Sequence, residues 1–295
     1  MPELPDLTVY IEALLKRIDG AALQGIRIAN PFILRTVTPS IDELTGLTVI
    51  GARRLGKRIV IELEQSHYIA IHLMIAGRLK FLATGSRIPA KLGLIAFDFS
   101  TGTLLLTEAG GKRRASVHLL KGVDSLAAMD PGGLEVFDIT LDEFKGALRR
   151  ENHTLKRSMT DQRFLAGIGN AYSDEILHRA RISPMRQVKY LSDDDFERLF
   201  DACRSVLAEW VARLKEKAGE RFPEKVTAFH DEMAVHGKYR KPCPDCGNPV
   251  QRIRYASNEC NYCAACQNQG NLLADRGLSR LLKKDWPRTL EELDQ

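Results

Sequence analysis

A chain of 295 residues exceeds the usual span of one domain, about 100–200 residues, and is long enough to bury more than one core. Hydrophobic residues at 44%, charged residues at 27%, and 22 Gly with 12 Pro exclude a disordered, collagenous or low-complexity protein. No apolar run reaches the roughly 18–20 residues of a membrane helix, and Glu3, Asp6 and Glu12 stand where a secretion signal would be basic and then apolar; a cytoplasmic protein with no membrane partner is expected. The net charge of +5 does not by itself indicate nucleic acid, because residues 1–130 hold 16 basic against 12 acidic side chains and residues 131–295 hold 27 against 26. Clustering is more informative. Arg53, Arg54, Lys57 and Arg58 form one acid-free run and Lys112, Arg113 and Arg114 another, although basic side chains are common on any solvated face.

Leu7, Ile11, Leu14, Leu15 and Ile18 recur at helical spacing and predict a helix over 7–18, with Asp6 as N-cap after Pro5. From there to about residue 120 the chain changes to short β-rich runs at 59–63, 68–73, 94–99 and 103–107, a pattern that predicts a sandwich or barrel. Asp130-Pro131-Gly132-Gly133 marks a boundary. Residues 141–150, 154–160, 171–180 and 192–218 read as helices, the last with an apolar stripe of Phe196, Leu199, Phe200, Cys203, Val206 and Leu207, in which Cys203 is a small core residue. Val250 to Tyr255 alternates as a strand, Ser257-Asn258 can turn the chain back, and the tail carries a periodic stretch of Leu272, Leu273, Leu278, Leu281 and Leu282.

Four of the six cysteines form Cys243-Pro-Asp-Cys246 and Cys263-Ala-Ala-Cys266, two pairs sixteen residues apart, a spacing that suits a four-cysteine zinc site. Each pair supplies two thiolates from one tight turn. Four thiolates fill a tetrahedral site and leave no open position, so the expected cofactor is one structural zinc ion. The strand between the pairs makes a zinc-stapled hairpin with Arg252 and Arg254 on one face. Cys260 lies beside the site but outside the paired spacing.

Four features occur in one order: the start Met1-Pro2-Glu3-Leu4-Pro5-Asp6 before a helix, Gly56-Lys57-Arg58, the run Gly167-Ile168-Gly169-Asn170-Ala171-Tyr172-Ser173-Asp174-Glu175, and the four-cysteine hairpin. Together they resemble the formamidopyrimidine-DNA glycosylase and endonuclease VIII family over roughly residues 2–266. The resemblance implies an α+β multidomain fold. Residues 1–130 would form an N-terminal β-sandwich with flanking helices, 131–232 a helix–two-turn–helix domain, 233–268 the zinc finger and 269–295 a C-terminal extension, with damaged DNA between the two main domains. It further implies a monomeric bifunctional DNA glycosylase and abasic-site lyase, bacterial in type, associated with the nucleoid when bound to DNA, and using no organic cofactor. Pro2 would be the nucleophile, Glu3 the proton shuttle and Lys57 a catalytic phosphate contact. Met74 would fill the void left by a flipped base, Arg113 or Arg114 would assist it, and Lys156, Asn170, Arg252 and Arg254 would contact DNA.

Elementary chemistry agrees with the central role. Removal of Met1 frees the secondary amine of Pro2, and an α-amino group with a pKa near 7.7–8 is roughly a tenth neutral at pH 7, whereas a lysine is almost wholly protonated. Attack at the sugar C1′ would expel the base and leave an iminium, from which the strand is cut by β/δ-elimination. Glu3 is adjacent and can move protons. The sequence also departs from the family pattern. Thr107 to Ala115 replaces a stretch that in purine-lesion enzymes carries a phenylalanine wedge, Asn258 replaces an arginine of the hairpin, Asp6 replaces a glutamate, and the segment 215–230 that should lie over the lesion is unusually polar. Asn258 and the altered wedge make a non-catalytic DNA-damage or DNA-structure binder the rival reading. A zinc-ribbon protein of RNA metabolism would explain neither the start nor the glycine–asparagine turn.

Overall fold

A computed structural model describes residues 1–224, 226–227, 229–255, 258–275, 279, 281 and 287–293. Ser257 of the predicted turn and Leu278 and Leu282 of the tail lie outside the described residues, as does the side chain of Asn258. The chain divides into two units, one of Met1–Pro131 with Trp210–Thr227 and one of Gly132–Glu209 with Ala228–Gln295.

In the first unit, helix α1 (Leu4–Ile18) starts three residues before the predicted bound. Glu3 is its N-cap. Asp6 sits in the first turn, where its Oδ2 accepts the Glu3 backbone N–H at 2.9 Å. Asp6 is therefore the reaching-back half of a capping box and not the cap itself. Pro5 is tolerated because the N–H it lacks would have no helical partner there. Leu7, Tyr10, Leu14 and Ile18 are fully buried along one face.

Short helices α2 (Ile41–Leu44) and α3 (Val123–Ala127) accompany eight described strands: β1 (Leu23–Ile28), β2 (Val49–Leu55), β3 (Arg58–Leu63), β4 (His67–His72), β5 (Gly77–Leu82), β6 (Gly93–Phe99), β7 (Gly102–Glu108) and β8 (Ser116–Lys121). They form two antiparallel four-stranded sheets, in the orders β1-β6-β7-β5 and β2-β3-β4-β8. Ile59, Ile61, Ile69 and Ile71 of one sheet and Phe97, Phe99, Leu104 and Leu106 of the other share one core with α1. The alternate residues Val60, Tyr68, Ala70 and Leu120 point to the opposite face, where Leu126 of α3 covers them. Burial on both faces makes β3 and β4 read as continuous apolar runs.

Residues of the polar segment after 215 belong to this unit and are anchored on it. The Phe222 ring lies 5.7 Å from that of Tyr10 and 6.1 Å from that of Phe81. Arg17 stacks 5.5 Å over Phe222 and donates from Nη2 to the Glu220 carbonyl at 2.7 Å.

The second unit holds α4 (Leu141–Arg149), α5 (Leu155–Thr160), α6 (Asn170–Ala180) and the portion to Glu209 of α7 (Asp193–Ala218), followed by the hairpin β9 (Gln251–Tyr255) and β10 (Asn258–Tyr262) and the short α8 (Ala264–Asn268). Of the two boundary glycines, Gly133 has a packing reason, since a Cβ there would sit 2.2 Å from the Gln162 carbonyl oxygen. Phe144 and Phe200 meet at 5.2 Å between ring centroids, and Cys203 is buried as expected. Among the described residues, no helix is long and apolar enough to cross a membrane.

Candidate active site and nucleic-acid interface

The first site gathers around the N-terminus. Pro2 is buried, and Glu3 is only 2% exposed at the head of α1. Lys57 arrives on a two-residue turn between β2 and β3, whose flanking residues Leu55 and Arg58 pair. Gly56 has φ +58°, the conformation required at the first central position of a tight hairpin turn. Lys57 is 8% exposed. Burial holds the α-amine of Met1 below its ordinary value; the carboxylates of Glu3 and Asp6 oppose this, while the charges of Arg78 and Lys57 reinforce it. Desolvation and positive neighbours both favour the neutral, nucleophilic form of an amine.

The turn after β4 is the second element of this site. Met74 is half-buried and has φ +52°, a left-handed conformation that costs roughly 1–2 kcal/mol for a residue with a side chain. Its N–H donates to His72 Nδ1 at 3.2 Å, and Arg78 Nη1 donates to the carbonyls of Ile75 and Gly77 at 3.0 and 2.7 Å. His72 must keep Nδ1 unprotonated to accept. Burial, with Arg58, Lys57, His118 and the N-terminal amine adding to it, lowers its pKa to about 4, so it is neutral at pH 7. The side chain this turn offers to solvent is Ile75, 62% exposed, more than the Met74 expected from the sequence. Arg78 and Ile75 were both missed, because neither lies in a motif; only the turn's backbone identifies them.

The loop between β7 and β8 is closed at its base by the buried Glu108. Its carboxylate accepts the N–H of Arg114 at 2.9 Å and that of Ala115 at 3.0 Å. The two candidate arginines then differ. Arg113 donates from Nη2 to the Lys91 carbonyl at 2.6 Å. Arg114 is exposed, and its guanidinium has no hydrogen-bond or ion-pair partner among the described residues.

In the second unit, Gly167 (φ +80°) and Gly169 lead into α6. The turn is pinned by Gln162, which accepts the Gly167 N–H at 2.9 Å through Oε1 and donates to the carbonyls of Thr160 and Ile168 through Nε2 at 3.0 and 2.8 Å. Asn170 opens α6 and donates from Nδ2 to the Glu259 carbonyl of the hairpin at 2.9 Å. Lys156 takes a place other than the open phosphate contact its spacing suggested. Its ammonium donates to the Asn170 carbonyl at 2.8 Å, Ser173 Oγ at 2.9 Å and Asp174 Oδ1 at 2.5 Å, and an ammonium has three hydrogens to give.

Asp174 is fully buried, and its Oδ2 accepts from His236 Nδ1 at 2.8 Å and from the Asn261 N–H at 3.0 Å. Glu175 accepts the N–H groups of Ala234, Val235 and His236 at 2.7–2.9 Å. Two adjacent carboxylates of α6 thus fasten the hairpin and the segment leading to it. On the hairpin, Ile253 is buried while Arg254 is exposed and Arg252 is half-exposed; Arg252 stacks 4.0 Å over the Tyr239 ring.

Cys243, Cys246, Cys263 and Cys266 bring their sulfurs within 4.8 Å of one another. The Cys243–Cys266 and Cys246–Cys263 separations are 3.9 and 3.4 Å, against about 3.8 Å between thiolates at 2.3 Å from a tetrahedral ion. The set can therefore hold a metal ion. Cys260 instead packs with Ile253, Tyr262 and Ala264. His178 of α6 lies with Nε2 3.2 Å from Cys243 Sγ, a neighbour of the metal site that the sequence did not suggest.

Comparison with known proteins finds two matching domain families. The formamidopyrimidine-DNA glycosylase N-terminal domain matches residues 1–114, and the formamidopyrimidine-DNA glycosylase H2TH domain matches residues 129–220. A formamidopyrimidine-DNA glycosylase of Heliobacterium modesticaldum is 30% identical over 280 residues, covering 90% of this chain and all of the relative. Among solved structures, MutM in complex with DNA containing carbocyclic 8-oxo-G is similar with a TM-score of 0.80 at 25% identity, over 90% of this chain and all of the other. The Lactococcus lactis Fpg in complex with abasic-site DNA is similar with a TM-score of 0.79, again at 25% identity, over 90% of this chain and 99% of the other.

Proposed function

The chain belongs to the formamidopyrimidine-DNA glycosylase family, and from that premise we propose that it is a bifunctional enzyme that excises oxidised bases from DNA and then cleaves the abasic strand. The observation that carries this reading is the setting of the chain start: burial together with Arg78 and Lys57 favours the neutral form of the Met1 amine, Pro2 and Glu3 next to it are buried, and the same surroundings are proposed to act on the Pro2 amine once Met1 is removed. With Met1 removed, the secondary amine of Pro2 takes up the nucleophilic role. It attacks C1′, the glycosidic bond breaks, and Glu3 supplies protons to the departing base and the opening sugar. The resulting iminium acidifies the C2′ hydrogen. Loss of that proton expels the 3′ phosphate, and a second elimination expels the 5′ phosphate.

Lys57 and Asn170 are proposed as phosphate contacts, with Arg252 and Arg254 as further contacts from the hairpin. Lys156 acts on DNA indirectly, by fixing the first turn of α6. Arg114 and the apolar pair Met74 and Ile75 are the candidates for filling the space a flipped nucleotide leaves. The four-cysteine site is proposed to hold one structural zinc ion. Such an ion supplies folding free energy to the hairpin and takes no part in the reaction.

The test is a cleavage panel of 8-oxoguanine, formamidopyrimidine, oxidised-pyrimidine and abasic oligonucleotides, each in single and double strands. Base release coupled to strand cleavage on at least one lesion is expected. Tight binding without cleavage of any substrate, the abasic ones included, would replace the enzyme with the non-catalytic binder.

A further inference from the structure

The segment following α8 is built onto the back of the hairpin. Leu272, Leu273 and Leu290 pack against the buried Ile253, Cys260, Tyr262 and Ala264. The Leu273 N–H donates to Tyr262 Oη at 2.8 Å. The segment also closes on itself: the Leu272 N–H donates to the Arg288 carbonyl at 2.7 Å, and the Leu290 N–H to the Gly270 carbonyl at 3.1 Å. One side chain reaches the strand that carries the arginines. Asp275 is buried, and its Oδ2 accepts the backbone N–H of Arg254 at 2.8 Å.

This contact has a chemical consequence. The Arg254 N–H belongs to a strand with one hairpin neighbour, β10, and an outward N–H on such a strand otherwise hydrogen-bonds to water and leaves the strand free to twist. A carboxylate acceptor is stronger than a neutral one. It fixes the backbone at the residue whose side chain is exposed, while Ile253 beside it is locked into the apolar cluster that the tail completes.

We infer that Asp275 is a positioning residue for DNA binding: through the Arg254 backbone it sets the register and aim of the Arg254 guanidinium, and the tail is the brace that holds Asp275 in place. This assignment rests on the proposed role of the hairpin as a DNA-facing element. It gives residues 269–275 and 287–290, which lie beyond the sequence motifs, a task in substrate binding.

The test is a double-mutant cycle on the full-length protein with duplex DNA containing an abasic-site analogue, read as equilibrium affinity. Asp275→Ala is expected to weaken binding about three- to tenfold, less than the full worth of a charge-assisted hydrogen bond because the lost contact reaches affinity only through the aim of Arg254. Asp275→Asn, whose amide oxygen can still accept, should restore most of it. On an Arg254→Ala background the same Asp275→Ala change should cost less than about twofold, because residues acting through one contact are not additive. Amide exchange at Arg254 should accelerate in Asp275→Ala, while metal content and thermal midpoint stay near those of the parent, separating positioning from loss of fold. Unchanged affinity in Asp275→Ala, or an equal loss with and without the Arg254 side chain, would overturn the assignment. Parent-like affinity of Arg254→Ala alone would instead reject the DNA-facing role of the hairpin, while faster exchange in Asp275→Ala would still report the brace.

Discussion

Lys156 and Asp174 form a 2.5 Å ion pair whose carboxylate is wholly buried and whose ammonium is largely so. The pair links α5 to the first turns of α6, and through Asp174 to His236 and Asn261. Removing one partner of such a pair strands a charge out of water and typically costs 3–5 kcal/mol. Lys156→Met and Asp174→Asn are therefore expected to lower unfolding free energy by several kcal/mol in urea titrations. Lys156→Met should leave the salt dependence of DNA affinity nearly unchanged, since its three hydrogens are already committed. A full unit of lost slope with parent stability would return Lys156 to a direct phosphate contact.

The same pair fixes a pH dependence. Burial alone would raise the Asp174 pKa, but Lys156 and His236 outweigh it and hold the group below its ordinary value. A depressed folded pKa contributes stability that is present above the unfolded value, near 3.9, and lost as pH falls through the folded one. The difference in stability between the parent and Asp174→Asn should hold from pH 5 to 7 and shrink below about pH 4. A difference that persists unchanged to pH 2 would contradict the pairing.

Arg78 should control the titration of the nucleophile. Its charge acts on the Met1 amine in the same direction as Lys57, against Glu3 and Asp6, and is expected to act likewise on the adjacent Pro2 amine once Met1 is removed, with His72 neutral at pH 7. Removing a nearby cation raises the pKa of an amine. In Arg78→Gln the acidic limb of the kcat/KM profile on abasic DNA is expected to move to higher pH, and Arg78→Lys should return it. An unmoved limb would confine Arg78 to bracing the Met74–Gly77 turn.

The metal site makes a sharper demand. Cys246→Ser should lose most of the bound zinc, loosen the hairpin and weaken DNA binding, while Cys260→Ser keeps the parent's zinc content because Cys260 packs in the apolar cluster. Zinc analysis of the two purified variants decides it. Loss of metal in Cys260→Ser would redraw the ligand set.

Much of this was legible from periodicity and spacing. The four cysteines were identifiable because paired thiolates require short, regular intervals, and β3, β4, β6 and β7 because both of their faces are buried or nearly so. Strands β1, β2, β5 and β8 did not stand out, since residues such as Arg53, Arg78 and Ser116 interrupt their apolar alternation on the outward face. The N-cap was misplaced by three residues because Glu3 and Asp6 are both acids and only the backbone distinguishes the cap from its partner. Lys156 shows the larger limit. Spacing can place a lysine before a glycine turn, but not say that its ammonium is aimed inward at Asp174. Ile75, Arg78, Glu108 and Asp275 act through contacts to backbone or through the shape of a turn, and no residue pattern announces these.

The central claim is that the N-terminal amine of Pro2 is the nucleophile. Borohydride reduction of the protein with abasic-site DNA should yield a covalent protein–DNA adduct whose DNA-bearing peptide begins at Pro2. Pro2→Gly should retain part of the yield, because its α-amine remains, and a protein carrying a blocked N-terminus should form none. An adduct formed at full yield by the blocked protein, with the DNA attached to a lysine, would contradict the claim.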